Sequence, residues 1–133
     1  MTKKEIKKLQ IKHKAMMDAT HPDKWIYFDV DDTLVMWEGD VKRPGKGKVK
    51  IELLNRVYYL TPNEKNIKTL LDCYESNHMI VVWSLGGRAW AEKVINTLGL
   101  FWRVHYILTK PTFYVDDRPN TYILKKSKNL YKK

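Results

Sequence analysis

Trp25-Ile26-Tyr27-Phe28-Asp29-Val30-Asp31-Asp32-Thr33-Leu34-Val35 is the stretch on which the reading of this chain turns. An apolar run enters three carboxylates and then turns apolar again. The opening residues have the composition of a buried strand in a covered sheet. Carboxylates are costly to bury, so three of them directly after such a strand call for cations or solvent. In open α/β sheets, ligands sit in the crevice beyond the carboxyl ends of the strands. Asp29 and Asp31 lie two residues apart on an extended chain and therefore point into the same crevice. The stretch predicts an acidic site at a strand end.

Working outward from there, strands alternate with helices. Ile6, Leu9, His13 and Met16 or Met17 recur at helical spacing, which predicts an amphipathic helix within a basic segment 1–24. Thr20-His21-Pro22-Asp23 ends it. Val49, Ile51 and Leu53 alternate with polar residues and are followed by Arg56-Val57-Tyr58-Tyr59-Leu60. Leu54-Asn55 falls where a tight turn joins them, so the region 34–60 reads as a small hairpin flap. Thr61-Pro62-Asn63-Glu64 has the pattern of a helix start, with a threonine cap, proline in the first turn and glutamate three residues on. Met79-Ile80-Val81-Val82-Trp83 is a second buried strand. A helix from Arg88 to Thr97 follows, with Trp90, Val94 and Ile95 on one face and Gly99 at its end. Val104 to Leu108 predicts a third strand and Phe113-Tyr114-Val115 a fourth. The last segment, around residues 119–131, reads as a short helix, with a basic tail over 121–133. Together these elements predict one three-layer α/β domain of Rossmann-like type over residues 1–133, with a mainly parallel sheet.

The length of 133 residues is enough for one domain with a real core. Charged residues at 30% against 44% hydrophobic give a globular balance and exclude a disordered chain. Cys73 is the single cysteine, which excludes an internal disulfide framework and fits a reducing, cytoplasmic setting. No apolar run approaches the roughly 20 residues that span a bilayer, so no membrane partner is expected. The net charge of +10 is uneven: residues 1–24 hold seven lysines against three acids, 42–50 hold five basic residues and no acid, and 121–133 hold five lysines and no acid. Such a surface favours polyanions, nucleic acid included, though solvated basic tails give the same composition.

Each buried strand ends in a residue with useful chemistry: Asp29 and Asp31, Ser84, Lys110, and Asp116 with Asp117. A parallel sheet gathers them at one edge. Three or more hard oxygen donors suit Mg²⁺, with waters completing its octahedron. Aspartate is a covalent nucleophile for phosphoryl groups, a role open to Asp29. Asp31 is placed to give a proton to the leaving oxygen and later take one from water. Ser84 and the amides of Gly86 and Gly87, at a helix start, are candidate holders of phosphoryl oxygens, with Thr33 and Arg88 as further candidate substrate contacts.

Asp29-Val30-Asp31-Asp32-Thr33-Leu34 resembles the first motif of the haloacid dehalogenase (HAD) phosphatase superfamily, a strand followed by D-x-D-x-T. Ser84 after Ile80-Val81-Val82-Trp83 is similar to the second motif, Lys110-Pro111 to the third, and Tyr114-Val115-Asp116-Asp117 to the fourth. The resemblance covers roughly residues 25–120. It implies Asp29 as nucleophile, Asp31 as acid/base, Ser84 and Lys110 as phosphate ligands, and a magnesium ion on Asp29, the Asp31 carbonyl and the Asp116–Asp117 pair. Between Thr33 and Ser84 there is room for only the hairpin and one helix, so the chain looks like a capless member. Asp116-Asp117-Arg118 also resembles polynucleotide 3′-phosphatases of the superfamily, and Trp83-Ser84-Leu85-Gly86-Gly87 small phage-encoded members. The expectation is a Mg²⁺-dependent phosphohydrolase acting on a phosphorylated small molecule or nucleic-acid end. The alternatives are a phosphotransferase and a non-catalytic binding module that keeps the fold.

Two other carboxylate sites fit less well. An EF-hand needs glycine at its sixth position and glutamate at its twelfth, where this chain has Leu34 and Asp40. A response-regulator receiver phosphorylates an aspartate at the end of a middle strand, and no middle strand here ends in aspartate.

Overall fold

The computed structural model describes residues 1–20 and 24–117. An 18-residue helix, α1 (Lys3–Thr20), precedes the first strand, β1 (Trp25–Asp29). A two-residue strand β2 (Val35–Met36) follows, then β3 (Val49–Leu53) and β4 (Arg56–Pro62). Helix α2 (Glu64–Glu75), strand β5 (Met79–Ser84), helix α3 (Arg88–Thr97), a short 3-10 turn (Phe101–Arg103) and β6 (Tyr106–Thr109) complete the order. The protein is a mixed α/β fold. Its main sheet is three-stranded and parallel in the order β1-β5-β6, and a small antiparallel sheet has the order β2-β4-β3.

The parallel register sets Asp29 opposite Trp83, and Ser84 opposite Thr109. The carboxyl ends of the three strands are therefore level, which is what the site requires. Alternation along each strand turns Phe28, Ile80 and Val82 to one face, where Leu70 and Cys73 of α2 and Ala91, Val94 and Ile95 of α3 join them in one core. The opposite face carries Trp25, Tyr27, Val81, Trp83, Tyr106 and Leu108; Trp25 and Tyr106 stack there at 5.7 Å between ring centroids. Helices α2 and α3 thus supply a layer on one face of the sheet, and no helix packed on the other face is shown among the described residues.

The hairpin forms where its alternation predicts. Leu54 and Asn55 both have positive φ, 50° and 63°, as a two-residue turn between right-twisted strands demands. It is not a loose flap. Ile51 and Leu60 are fully buried in the same core as the parallel sheet, beside Val30, Leu34 and Val35.

Three expectations are corrected. The cap of α2 is Asn63, whose side chain accepts from the Asn66 amide at 3.1 Å; Thr61 and Pro62 belong to β4 and pair with Met36 and Val35. Proline is tolerated at the end of a strand as well as in the first turn of a helix, and pairing with β2 decides between them. The third strand begins at Tyr106, later than Val104. The fourth strand does not form: residues 113–115 make no ladder, and Phe113, Tyr114 and Val115 are 88%, 52% and 100% exposed. A three-residue apolar run becomes a strand only against a partner, and β1 pairs only with β5 among the described residues. The short helix expected around 119–131, the basic tail 121–133 and Arg118 lie outside the described residues.

Candidate active site

The loop after β1 is built by backbone hydrogen bonds converging on one carbonyl. The amides of Thr33, Leu34 and Val35 all donate to Val30 O, at 3.2, 2.9 and 3.2 Å. Asp32 N returns to Val35 O at 2.7 Å, and Asp31 bridges Val35. Asp32 sits at φ 58°, a left-handed conformation that aspartate accepts more readily than most residues. Its carboxylate accepts from the Trp37 backbone amide at 2.9 Å, closing the loop from outside. Buried Val30, Leu34 and Val35 anchor this turn in the core. Asn66 of α2 adds a tie, its Nδ2 donating to Thr33 O at 2.9 Å.

The strand ends bring four of the expected residues together. Lys110 Nζ lies 3.9 Å from Asp29 Oδ1 and 5.9 Å from the Trp83 ring centre. The Lys110 amide donates to Ser84 O at 2.9 Å, which fixes the start of its side chain at the edge of β5. Thr33 Oγ1 approaches Asp29 Oδ2 at 3.4 Å, a long contact. Ser84 is fully buried; its hydroxyl donates to Asp31 Oδ2 at 3.2 Å and accepts from the Gly86 amide at 2.9 Å.

The two carboxylates are held very differently. Asp31 accepts from Trp37 Nε1 at 2.8 Å and Trp90 Nε1 at 2.9 Å, both on Oδ1, besides Ser84 on Oδ2. Hydrogen bonds to a charged group contribute roughly 1.5–3 kcal/mol each. The Lys110–Asp29 pair, with both side chains more than a third exposed, contributes about 0–1 kcal/mol. Asp31 is fixed, and Asp29 is comparatively free.

The glycine loop is tight for a visible reason. A Cβ on Gly86 would stand 3.1 Å from Trp90 Cδ1 and 3.3 Å from Ser84 Oγ, and Gly87 adopts φ 102°, out of reach of ordinary side chains. Both amides are used inside the loop, Gly86 N on Ser84 Oγ and Gly87 N on Ser84 O at 3.1 Å. The loop thus shapes Ser84 and does not present two open amides to a ligand. The Arg88 amide donates to Thr109 Oγ1 at 2.9 Å, while its side chain lines a surface hollow of about 400 Å³ beside Glu92, Phe101 and Trp102.

Asp116 and Asp117 are exposed and follow a segment with no strand pairing. Among the described residues no group of three or more His, Cys, Asp or Glu side chains is arranged to hold a metal ion. The residues that sequence reasoning missed are Trp37 and Trp90 as partners of Asp31. Trp90 reads from the sequence as an ordinary apolar position of α3; the one available signal is that a buried indole still carries an N–H that needs an acceptor.

Among the described residues, no helix is long and apolar enough to cross a membrane. Compared with family models, curated proteins and solved structures, the chain matches none.

Proposed function

We propose that this chain is a phosphohydrolase of the kind its sequence resembles, a small HAD-type phosphomonoesterase working through an aspartyl-phosphate. The observation that supports it best is the convergence of Asp29, Asp31, Ser84 and Lys110 at the level ends of three parallel strands, with Lys110 Nζ 3.9 Å from Asp29 and Ser84 Oγ 3.2 Å from Asp31. In this reading an Asp29 carboxylate oxygen attacks phosphorus, and the bond from phosphorus to the leaving oxygen breaks. Asp31 supplies the proton that the leaving oxygen needs. Water then attacks the phosphorus of the aspartyl-phosphate, Asp31 takes its proton, the bond from phosphorus to the Asp29 oxygen breaks, and inorganic phosphate departs. Lys110 offsets the negative charge brought up to Asp29.

The residues that would hold Mg²⁺ in this proposal are Asp29, the Asp31 carbonyl and Asp116 or Asp117, and the ion would offset charge on the transferring phosphoryl group. The substrate class is a phosphorylated small molecule or a nucleic-acid end, the latter in keeping with the +10 charge. A cytoplasmic setting is proposed with it, in keeping with the single, buried cysteine. A non-catalytic nucleic-acid-binding module is the second reading, and the +10 charge supports it.

The test is hydrolysis of an aryl phosphate with Mg²⁺ present. The proposal expects turnover by the wild type and a loss of at least about 10³-fold in Asp29→Asn, as removal of a covalent nucleophile does. Equal rates in both proteins would remove the nucleophile assignment, and an inactive wild type across a panel of phosphate esters would favour the binding module.

A further inference from the structure

Two tryptophans far apart in the chain aim their N–H groups at the same carboxylate oxygen. We propose that Trp37 and Trp90 are positioning residues that lock the Asp31 carboxylate in one orientation, with Oδ1 turned into the protein and Oδ2 presented to the reacting group. The catalytic consequence rests on the phosphoryl-transfer reading above. The lock itself is a matter of geometry.

A carboxylate offers about four lone-pair directions, two on each oxygen. Trp37 Nε1 at 2.8 Å and Trp90 Nε1 at 2.9 Å fill both on Asp31 Oδ1. Oδ2 receives the Ser84 hydroxyl, at 3.2 Å. Because Ser84 Oγ already accepts from the Gly86 amide at 2.9 Å, its own proton is directed towards Oδ2. One oxygen is saturated and the other keeps a direction at the strand ends. Proton transfer by Asp31 then has a single outlet.

The two indoles are held by different elements. Trp90 lies in the first turn of α3 and is 9% exposed. Trp37 follows β2, and its amide is tied to the Asp32 carboxylate at 2.9 Å. Tyr58 of β4 packs against both, with ring centroids 5.0 Å from Trp37 and 6.0 Å from Trp90, and the two indoles stand 5.9 Å apart. Packing alone asks each indole for one acceptor, which a backbone carbonyl supplies equally well. Convergence of two N–H groups on one oxygen of Asp31 is what orientation of that carboxylate requires. Asp32 acquires a role from the same arrangement, since the carboxylate beside Asp31 fixes one of the residues that clamp it.

Trp37→Phe and Trp90→Phe each keep an aromatic ring and remove one donor. With the aryl phosphate as substrate, each is expected to lower kcat about tenfold or more while KM stays within about twofold, the pattern of a misoriented reacting group rather than lost binding. The second readout needs no turnover. In a ¹H–¹⁵N spectrum the Trp37 and Trp90 indole signals, identified by their loss in the two variants, are expected to move in Asp31→Ala. Those of Trp25, Trp83 and Trp102 are expected to stay. Indole signals that do not move in Asp31→Ala would overturn the lock, whether or not the protein is a phosphatase. Wild-type kcat in both phenylalanine variants would overturn its catalytic role. An inactive wild type with shifted indole signals would leave the lock standing and count against the phosphoryl-transfer reading alone.

Discussion

The chain has two acidic pairs, each preceded by apolar residues, and they end up in opposite conditions. Asp29 ends a strand paired along its length with β5, Asp31 follows two residues on, and the loop there is closed by three amides on one buried carbonyl. Asp116 and Asp117 follow Phe113-Tyr114-Val115, which join no sheet and are largely exposed. The apolar approach is similar in the two cases. What differs is the presence of a neighbour. Ile26 and Phe28 have Ile80 and Val82 beside them, and the loop beyond has Leu34 and Val35 in the core. A carboxylate becomes an oriented chemical group only when the backbone beneath it is fixed by packing elsewhere.

This contrast is open to test. The largest stability effect is expected from the hidden support of the first pair. Ile51→Ala should destabilise the protein by about 2–5 kcal/mol, because that side chain is fully buried in the core shared with Leu34 and Val35, whereas Val115→Ala should change stability by less than about 0.5 kcal/mol. Denaturant midpoints would compare the two, and equal costs would break the distinction.

Gly86→Ala comes next. Its Cβ must push on Trp90 and Ser84 together, at a cost of about 1–3 kcal/mol. The displaced Trp90 ring should also disturb the Asp31 clamp, so activity should fall further than stability predicts. Thermal unfolding beside the aryl phosphatase rate would separate the two effects.

The smallest effect is expected in Asp117→Ala, an exposed position, within about 0.5 kcal/mol of the wild type in stability. Unchanged stability joined to lost activity would place Asp117 at the reacting group. Unchanged activity would remove Asp117 from the site.

How much of this is legible in the sequence depends on how local the cause is. The hairpin turn at Leu54-Asn55, the strand ends at Asp29 and Ser84, and the helix from Arg88 are consequences of neighbouring residues, and periodicity finds them. The cap of α2 falls at Asn63 and not at Thr61, because Pro62 serves a strand end as well as a helix start and only pairing with Val35 decides. The strand expected at 113–115 has a suitable composition too, but a run of that kind becomes a strand only by pairing, and residues 113–115 join no ladder. The bonds from Trp37 and Trp90 to Asp31 span 6 and 59 residues and depend on where α3 lands against the hairpin. No spacing in the sequence encodes that.

Phosphorylation of Asp29 is the step on which the proposed chemistry depends. The direct measurement is acid quench of the protein during turnover of an aryl phosphate, followed by mass analysis of its peptides. A phosphoryl group on the peptide carrying Asp29, labile to hydroxylamine and absent in Asp29→Asn, is the predicted result. Turnover with no phosphoryl group on Asp29, or with one on another residue, would contradict it.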